Sequence, residues 1–269
     1  MSHFNTSIQT GFARSASEAM FPRLFPDAGW WCPSLNPAMG GTRLWDLSGR
    51  QNWGTLTNMA NDDWVVSGGK LALDFDGSND HVSVNRWQNM ERDYSVSAWL
   101  RTTHAASNTA MIASSFNGGG GAHLMGVKGS NGALYTFDGA IEVEFTAKVL
   151  NDGVWHLATI VRRFGTSMTG FVDGVQVGQN NSTAWTGNPS SLGSGWRLGG
   201  TPFFGAQYPG LLDDFRIYSR ALTAGEVRQL WQIGRGNMPL RRRRRYTEQA
   251  GGFKGYWANR QHLIGSGVY

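Results

Sequence analysis

The sequence has a single cysteine, Cys32, among its 269 residues. This excludes an intrachain disulfide and any zinc site built from several cysteines. No apolar run approaches the roughly 20 residues that a membrane-spanning helix needs. The first residues, MSHFNTSIQT, show no basic stretch followed by an apolar one, so the sequence predicts no secretory signal. We therefore expect synthesis in a reducing cytoplasm, with any later export by another route.

Charged residues are scarce, at 16% of the chain, and they are unevenly distributed. Residues 1–234 contain 16 Lys and Arg against 18 Asp and Glu, whereas residues 235–269 contain 8 Lys and Arg against one acid, Glu248. The formal net charge of +5 therefore comes from the C-terminal segment. The rest of the chain is nearly neutral, so any argument from basic charge applies only to this segment.

Motifs for common catalytic chemistry are also lacking. His81, His104 and His123 share no metal-ligand spacing, and no Gly-x-Ser-x-Gly elbow is present. Glu142 and Glu144 share one face of a predicted strand, and a glycoside hydrolase needs two carboxylates at a defined separation. We interpret this pair as part of a solvated strand face. The sequence therefore predicts no catalytic residue and no bound organic cofactor, and we expect a protein that is not an enzyme.

What the chain does contain is glycine, tryptophan and short alternating segments: it has 37 Gly and 12 Trp. Apolar and polar residues alternate in many short stretches that Gly, Asn, Asp and Ser separate. These stretches are residues 29–34, 71–75, 81–84, 94–102, 109–116, 122–129, 133–139, 141–148, 154–163, 169–179, 196–201 and 210–220. Such a pattern predicts an all-β antiparallel sandwich or jelly roll. Within VDGVQV, Asp173-Gly174 predicts a tight hairpin.

One helix is predicted, in the segment ALTAGEVRQLWQIG. Thr223 and Glu226 have the spacing of a capping box, in which each side chain bonds the other residue's backbone N–H. Leu222 and Val227 stand where a hydrophobic staple would form. Gly234 fits the C-terminal cap. The helix would close the domain.

Tryptophan is the most overused residue type, and ten of its twelve positions fall into two groups. Five residues fall within predicted strands, and we expect most of them to fill the core between the sheets: Trp30, Trp31, Trp99, Trp155 and Trp196. A second group lies mainly in loops: Trp45, Trp53, Trp64, Trp87 and Trp185. Some of these would form an aromatic platform for a sugar ring or bury against neighbouring subunits, and the sequence leaves both open.

The chain divides into three predicted parts: an extended N-terminal arm (1–28), a jelly-roll domain (29–233) and a basic, aromatic C-terminal arm (234–269). The arginine run in the last part has three interpretations. It could contact nucleic-acid phosphates, act as an import-like signal or pair with an acidic groove on a protein. We favour the protein partner, because Arg, Tyr and Trp are enriched at interfaces. The predicted docking residues are Arg241, Arg242, Arg243, Arg244, Arg245, Phe253, Tyr256, Trp257, Phe4 and Phe12.

Three stretches together resemble a laminin-G-like (LamG) jelly roll of the concanavalin A-like lectin/glucanase superfamily. They are LALDFDGSNDHVSV (71–84), DGVWHLATIVRRFGTSMTGFVDGVQVG (152–178) and LLDDFRIYSRALTAGEVRQLW (211–231), in the family's order. The resemblance implies an antiparallel β-sandwich with one short C-terminal helix. It leaves the function open, because these folds host lectins, adhesins, enzymes and structural modules. Related glucanases carry Glu-x-Asp-x-x-Glu, which the segment around Glu142 and Glu144 does not match.

The two ends are similar to segments attached to LamG-like domains in tailed-phage proteins. These ends are FNTSIQTGFARSASEA and FKGYWANRQHLIGSGV. The similarity implies a virion structural protein, made in the host cytoplasm. It would be a capsid decoration protein or a vertex or tail component, bound in multiple symmetric copies to other virion proteins. The jelly roll would then be free to touch host glycans. The alternatives are a carbohydrate-binding adhesin anchored by its tail and, third, a glycan-cleaving enzyme.

The same resemblance implies a candidate calcium site. Asp76, Asp80 and Asp213 stand near positions where LamG-like domains hold Ca²⁺, which prefers oxygen ligands from loops. The alternative is that Asp76 and Asp80 only bond the backbone of their own turn. Adjacent residues of a strand point to opposite faces, so only one of Asp213 and Asp214 is expected to face any one site.

Overall fold

The computed structural model describes residues 24–36, 40–84, 92–116, 122–139, 141–186, 196–201 and 206–236. Most elements in these ranges are short strands. The described residues contain one α-helix, which lies near their C-terminal end. The elements are β1 (Gly29–Trp31), β2 (Arg43–Leu44), β3 (Gly54–Thr57), β4 (Trp64–Ser67), β5 (Lys70–Asp76), β6 (His81–Val84), β7 (Tyr94–Arg101), β8 (Thr109–Phe116), β9 (Ala122–Lys128), β10 (Leu134–Phe137), β11 (Glu142–Phe145), β12 (His156–Arg163), β13 (Ser167–Val172), β14 (Val175–Asn181), β15 (Trp196–Leu198), β16 (Pro209–Tyr218) and α1 (Ala224–Gly236).

The strands form two antiparallel sheets. Sheet A has the order β14-β13-β12-β7-β16-β5-β4, and β1 pairs with the C-terminal half of β16. Sheet B has the order β11-β10-β9-β8-β15-β6-β3-β2. The predicted all-β sandwich with one short C-terminal helix is confirmed. The two arms fall largely outside the described residues. No helix within the described ranges is long and apolar enough to span a membrane.

The main core lies between the sheets and follows from the period-two alternation. Central strand β7 shows the rule: Val96, Ala98 and Leu100 face inward and are fully buried in this core. On the facing sheet, Ile112 and Val127 join the same cluster. Each strand therefore contributes alternate side chains to one continuous apolar layer.

Helix α1 covers the outer face of sheet A. Trp99 and Phe171 project outward from β7 and β13 and pack in one cluster with Val227 and Leu230 of the helix. Strands β7, β12 and β13 are consequently buried on both faces. Helix α1 thus covers much of the outer face of sheet A.

The capping box of α1 is confirmed. The Thr223 hydroxyl accepts the Glu226 N–H at 3.2 Å, and Glu226 accepts the Thr223 N–H at 2.8 Å. The predicted C-terminal cap at Gly234 is wrong, because the helix continues to Gly236. The glycine serves packing instead: a Cβ there would lie 2.4 Å from Nε1 of Trp99.

The predicted hairpin at Asp173-Gly174 is confirmed between β13 and β14. Asp173 and Gly174 have φ of 52° and 76°. Positive φ at both central residues is the property of a type I′ turn, whose twist matches that of the flanking strands.

The segment before β1 packs on the sandwich. Leu24 is buried in the cluster beneath α1, and its carbonyl accepts the Tyr218 hydroxyl at 2.9 Å. Asp27 accepts the N–H of Ser219 at 2.9 Å. Residues 24–28, part of the predicted N-terminal arm, therefore contribute buried contacts to the body.

Candidate functional site

Two exposed tryptophans form an aromatic platform at the edge of sheet B. Trp45 and Trp53 are 37% and 39% exposed, and their ring centroids are 5.6 Å apart. The guanidinium carbon of Arg43 lies 4.6 Å from the Trp53 ring. Strands β2 and β3 pair Leu44 with Gly54, so Trp45 and Trp53 stand opposite each other one residue further on. We call Arg43, Trp45 and Trp53 the tryptophan platform.

Buried polar groups hold the loop that joins the two tryptophans. Asp46 is buried, and its carboxylate accepts the backbone N–H of Trp30, Ser48 and Asn52 at 2.9–3.1 Å. The Asn52 carbonyl accepts the indole N–H of the core residue Trp31 at 2.9 Å. The platform is therefore fixed to the core from below, which limits the conformational entropy that a bound ligand would cost.

The platform continues into the outer face of sheet B, which we call the open face. Directly opposite residues in neighbouring strands share a face, so the register places Arg43, Thr55, Ser83, Arg197 and Ser114 in one row across β2, β3, β6, β15 and β8. Ser114 is buried and donates its hydroxyl to the Gly200 carbonyl at 2.7 Å, so the accessible part of the row is from Arg43 to Arg197. Their sequence neighbours Leu44, Leu56, Val82, Val84, Trp196 and Leu198 face the core. At about 4.8 Å per strand, the row from Arg43 to Arg197 spans about 14 Å.

Arg197 was not among the functional residues predicted from the sequence. The signal that was available is its position between two core-facing residues, Trp196 and Leu198, in a short strand. Alternation then places the arginine on the opposite face. Its neighbours in the row could not be assigned from the sequence, because strands β3, β6 and β15 are distant in the chain.

The other tryptophans are largely structural. Trp31 and Trp196 fill the core between the sheets, as predicted. Trp30 and Trp99 do not, because they project from the outer face of sheet A, and Trp155 precedes β12 and is only half-buried. Among the loop group, Trp64 and Trp185 are buried. Trp87 lies outside the described residues.

Glu142 and Glu144 lie on exposed positions of edge strand β11, on the open face. Glu142 accepts the Tyr135 hydroxyl at 3.2 Å, and Glu144 forms an ion pair with Lys128 at 3.2 Å. Both carboxylates are therefore solvated and hydrogen-bonded to neighbours, which agrees with the interpretation of a solvated strand face.

The three candidate calcium ligands do not form one group. Asp76 Oδ1 caps its turn by accepting the N–H of Ser78 and Asn79, and Asp80 accepts the Asp76 N–H at 3.0 Å. Strand register places Pro209 beside Asp76, so Asp213 is four residues along β16, about 13 Å away. Within the described ranges no three His, Cys, Asp or Glu side chains are placed to hold a metal. Calcium at Asp76 and Asp80 stays a prediction.

Asp213 belongs instead to a buried ionic cluster on the outer face of sheet A. Its Oδ2 lies 3.5 Å from Lys70 Nζ, and its Oδ1 lies 3.5 Å from Cys32 Sγ. Burial, and then repulsion from Asp214, raise the pKa of Asp213 to about 6 although Lys70 opposes this. Burial raises the pKa of the Cys32 thiol well above its ordinary value.

The expectation that Asp213 and Asp214 face opposite sides is wrong. A bulge in β16 interrupts the register between Asp213 and Arg216, and Asp214 has φ of 50°. Asp214 consequently points to the same side, where it accepts the Trp30 indole N–H at 2.7 Å and the Arg216 guanidinium at 2.8 Å. The extra residue of a bulge changes which face the following side chains occupy.

His156 connects three segments of the chain rather than only filling space. Its Nδ1 lies 2.8 Å from Asp173 and its Nε2 lies 3.1 Å from Asp152. Lys148 also pairs with Asp173. Burial lowers the pKa of His156, but the hydrogen bonds and charges of Asp173 and Asp152 outweigh burial and raise it.

The predicted partner-docking residues all lie outside the described residues. They are Arg241–Arg245, Phe253, Tyr256, Trp257, Phe4 and Phe12. Their roles stay predictions.

Solved structures similar to this one include binding domains of toxins and a sialidase. The binding domain of Paraclostridial Mosquitocidal Protein 1 is 16% identical, with a TM-score of 0.57, and the match covers 78% of this chain and 52% of that one. The botulinum neurotoxin serotype D binding domain is 15% identical, with a TM-score of 0.59, covering 77% and 52%. Trypanosoma rangeli sialidase is 14% identical, with a TM-score of 0.55, covering 76% and 32%. This chain spans about half the length of each of the two toxin binding domains and about a third of the length of the sialidase.

At these identities the similarity concerns the fold, and the neighbours include both binding domains and an enzyme. No curated sequence matches the chain significantly. A family model, the Laminin_G_3 model of the concanavalin A-like lectin/glucanases superfamily, matches residues 76–228. That match covers more than half of the chain and includes strands of both sheets and the start of α1. The chain therefore belongs to the laminin-G-like family of the concanavalin A-like lectin/glucanase superfamily.

Proposed function

We propose that the chain is a non-enzymatic glycan-binding module whose ligand stacks on the tryptophan platform. The observation that carries this proposal is the paired exposure of Trp45 and Trp53 beside Arg43. Large aromatic side chains usually bury their area, so two adjacent exposed indoles indicate a binding surface. The neighbouring row of Arg, Thr and Ser supplies hydrogen-bonding groups for sugar hydroxyls.

The test is a glycan array probed with the full-length protein and with Trp45→Ala and Trp53→Ala. Both side chains are more than a third exposed, so the variants should fold. We expect each to reduce affinity about tenfold, equivalent to about 1.4 kcal/mol. Phe164→Ala is the control, since Phe164 is 42% exposed in the turn between β12 and β13. Glycan binding that survives both tryptophan substitutions would contradict the proposal.

The non-enzymatic assignment is supported by the state of Glu142 and Glu144, which are exposed and engaged with neighbouring side chains. A glycosidase needs one carboxylic acid kept protonated near its substrate beside a second ionised carboxylate. We expect no cleavage of any bound glycan. Hydrolysis that Glu142→Gln or Glu144→Gln abolishes would establish the enzyme alternative instead.

We further propose that the terminal segments attach this module to a phage virion, as a capsid decoration protein or a vertex or tail component. The support is the sequence: the arginine run Arg241–Arg245, the aromatic residues after it and the phage-like ends. Many symmetric copies would strengthen individually weak contacts with glycans. An adhesin anchored elsewhere by the same tail is the alternative.

Co-sedimentation with phage capsids or procapsids tests this attachment. We expect the full-length protein to sediment with particles and the variant with Arg241–Arg245 all changed to Gln to lose most of that binding. Arg163→Gln, a change at an exposed position at the end of β12, should have no effect. Equal sedimentation of wild type and the five-fold variant would argue against docking through this run.

A further inference from the structure

Arg197 is a half-buried cation in the middle of the open face. Strand β15 lies between β6 and β8, and Arg197 is directly opposite Ser83 on one side and Ser114 on the other. Burial lowers the pKa of the neighbouring His81, and the charge of Arg197 lowers it further. The positive charge is therefore placed at the centre of the sheet rather than at its solvated rim.

Other buried or half-buried cations of the body have partners. Lys70 pairs with Asp213, Arg216 with Asp214, and Arg220 with Glu226. The side chain of Arg197 forms no hydrogen bond or ion pair with any described residue. Burial alone lowers the pKa of its guanidinium, without an opposing carboxylate. Removing a charge from water without a partner costs free energy, and an anionic ligand would compensate that cost.

The surroundings of Arg197 favour an anion with hydroxyl groups. Ser83 and Thr55 continue its row with two small hydroxyl side chains, and the row ends at the cation Arg43. The acids of this face, Glu142 and Glu144, lie on β11, four strands and about 19 Å from β15. Nothing acidic among the described residues of the row competes for the guanidinium.

We infer that the glycan bound on the open face carries a carboxylate and that Arg197 binds it. This inference rests on the proposed function and adds the class of sugar. A guanidinium presents two parallel N–H donors that match the two oxygens of a carboxylate. The acidic sugar would lie at Arg197 with its hydroxyls toward Ser83 and Thr55. The next sugar would extend along the row toward the tryptophan platform, about 14 Å from end to end.

The experiment uses the full-length chain on an array of neutral, carboxylated and sulfated glycans. Each carboxylated glycan that binds is then titrated beside its methyl ester, which keeps the ring and removes the charge. We expect the ester to bind wild type at least tenfold more weakly than the acid. Arg197→Gln should bind the acid and the ester equally, and Arg197→Lys should keep part of the preference for the acid. Arg163→Gln is the matched control on the other sheet.

The outcomes separate this inference from the proposed function. Neutral or sulfated glycans that bind, depend on Trp53 and ignore Arg197→Gln would overturn the carboxylate assignment and leave the glycan-binding function intact. Equal binding of acid and ester by wild type would overturn it too. An array with no bound glycan, or with binding that Trp53→Ala leaves unchanged, would refute the proposed function and the inference together.

Discussion

At the scale of single residues, buried polar side chains decide where exposed ones stand. Asp46 uses both carboxylate oxygens on backbone N–H groups, and this fixes the loop between Trp45 and Trp53. The partly buried Asn36 holds Trp45 as well, because its side-chain oxygen accepts the Trp45 N–H at 2.9 Å. A buried group with satisfied hydrogen bonds holds one geometry, since any alternative would leave it unpaired. The platform is therefore organised before any ligand binds.

His156 supports a prediction at the same scale. Hydrogen bonds to Asp173 and Asp152 raise the pKa of the imidazole in the folded state, and contact with His156 helps to lower the pKa of both carboxyls. The raised pKa of His156 adds to the free energy of unfolding. This contribution is complete below the unfolded-state pKa of histidine, about 6.5, and is lost as the pH rises through the folded-state pKa. The lowered pKa values of Asp173 and Asp152 also add to the free energy of unfolding. That contribution is complete above about pH 4 and is lost as the pH falls through the folded-state pKa values.

His156→Gln should therefore destabilise the protein by about 1–3 kcal/mol near pH 5.5, and by less at pH 8.5. Urea unfolding of both proteins across this pH range measures the difference. A loss that is constant from pH 5.5 to 8.5 would mean that the charged imidazole adds nothing to the network.

At the scale of elements, the longer strands could be predicted from the sequence, whereas the shortest strands could be identified only from the structure. The alternation predicted the longer strands and the Asp173-Gly174 hairpin, because a period of two and a turn dipeptide are local signals. It missed β2, β3 and β4, which extend over only Arg43–Leu44, Gly54–Thr57 and Trp64–Ser67. Strands of two to four residues are too short to show a period of two, so their sequences carry little signal of their own.

Two glycines of α1 provide a prediction at this scale, because helix propensity alone predicts the same effect of alanine at both positions. Alanine in a helix is favoured over glycine by about 1 kcal/mol. At Gly225 the nearest atom to an added Cβ would be 3.9 Å away, so Gly225→Ala should be neutral or stabilising. At Gly234 the added Cβ would lie 2.4 Å from Trp99, so Gly234→Ala should destabilise by about 1–3 kcal/mol.

Thermal and urea unfolding of the two variants measure these opposite signs. Equal stabilisation by both would show that α1 packs more loosely on Trp99 than the structure indicates.

At the scale of the whole molecule, the two outer faces of the sandwich differ in how far the protein itself covers them. Helix α1 and Leu24 bury the outer face of sheet A over Trp99, Phe171 and their neighbours. The open face of sheet B keeps exposed tryptophans at one edge and the cation Arg197 near its middle. The sequence predicted the fold class, the helix and the exposure of some loop tryptophans. It could not join Trp53 to Arg197, because long-range register between β3, β6 and β15 places them on one face.

The indole N–H signals of the tryptophans report directly on whether a glycan binds at the tryptophan platform. The protein has 12 tryptophans, so a two-dimensional ¹⁵N spectrum should contain 12 indole signals. Trp45→Phe and Trp53→Phe would assign the two that matter. On titration with the tightest-binding oligosaccharide of the array, we expect the signals of Trp45 and Trp53 to shift most, while those of the buried Trp30, Trp99 and Trp185 stay in place. Shifts confined to other tryptophans would place the ligand elsewhere and contradict binding at the tryptophan platform.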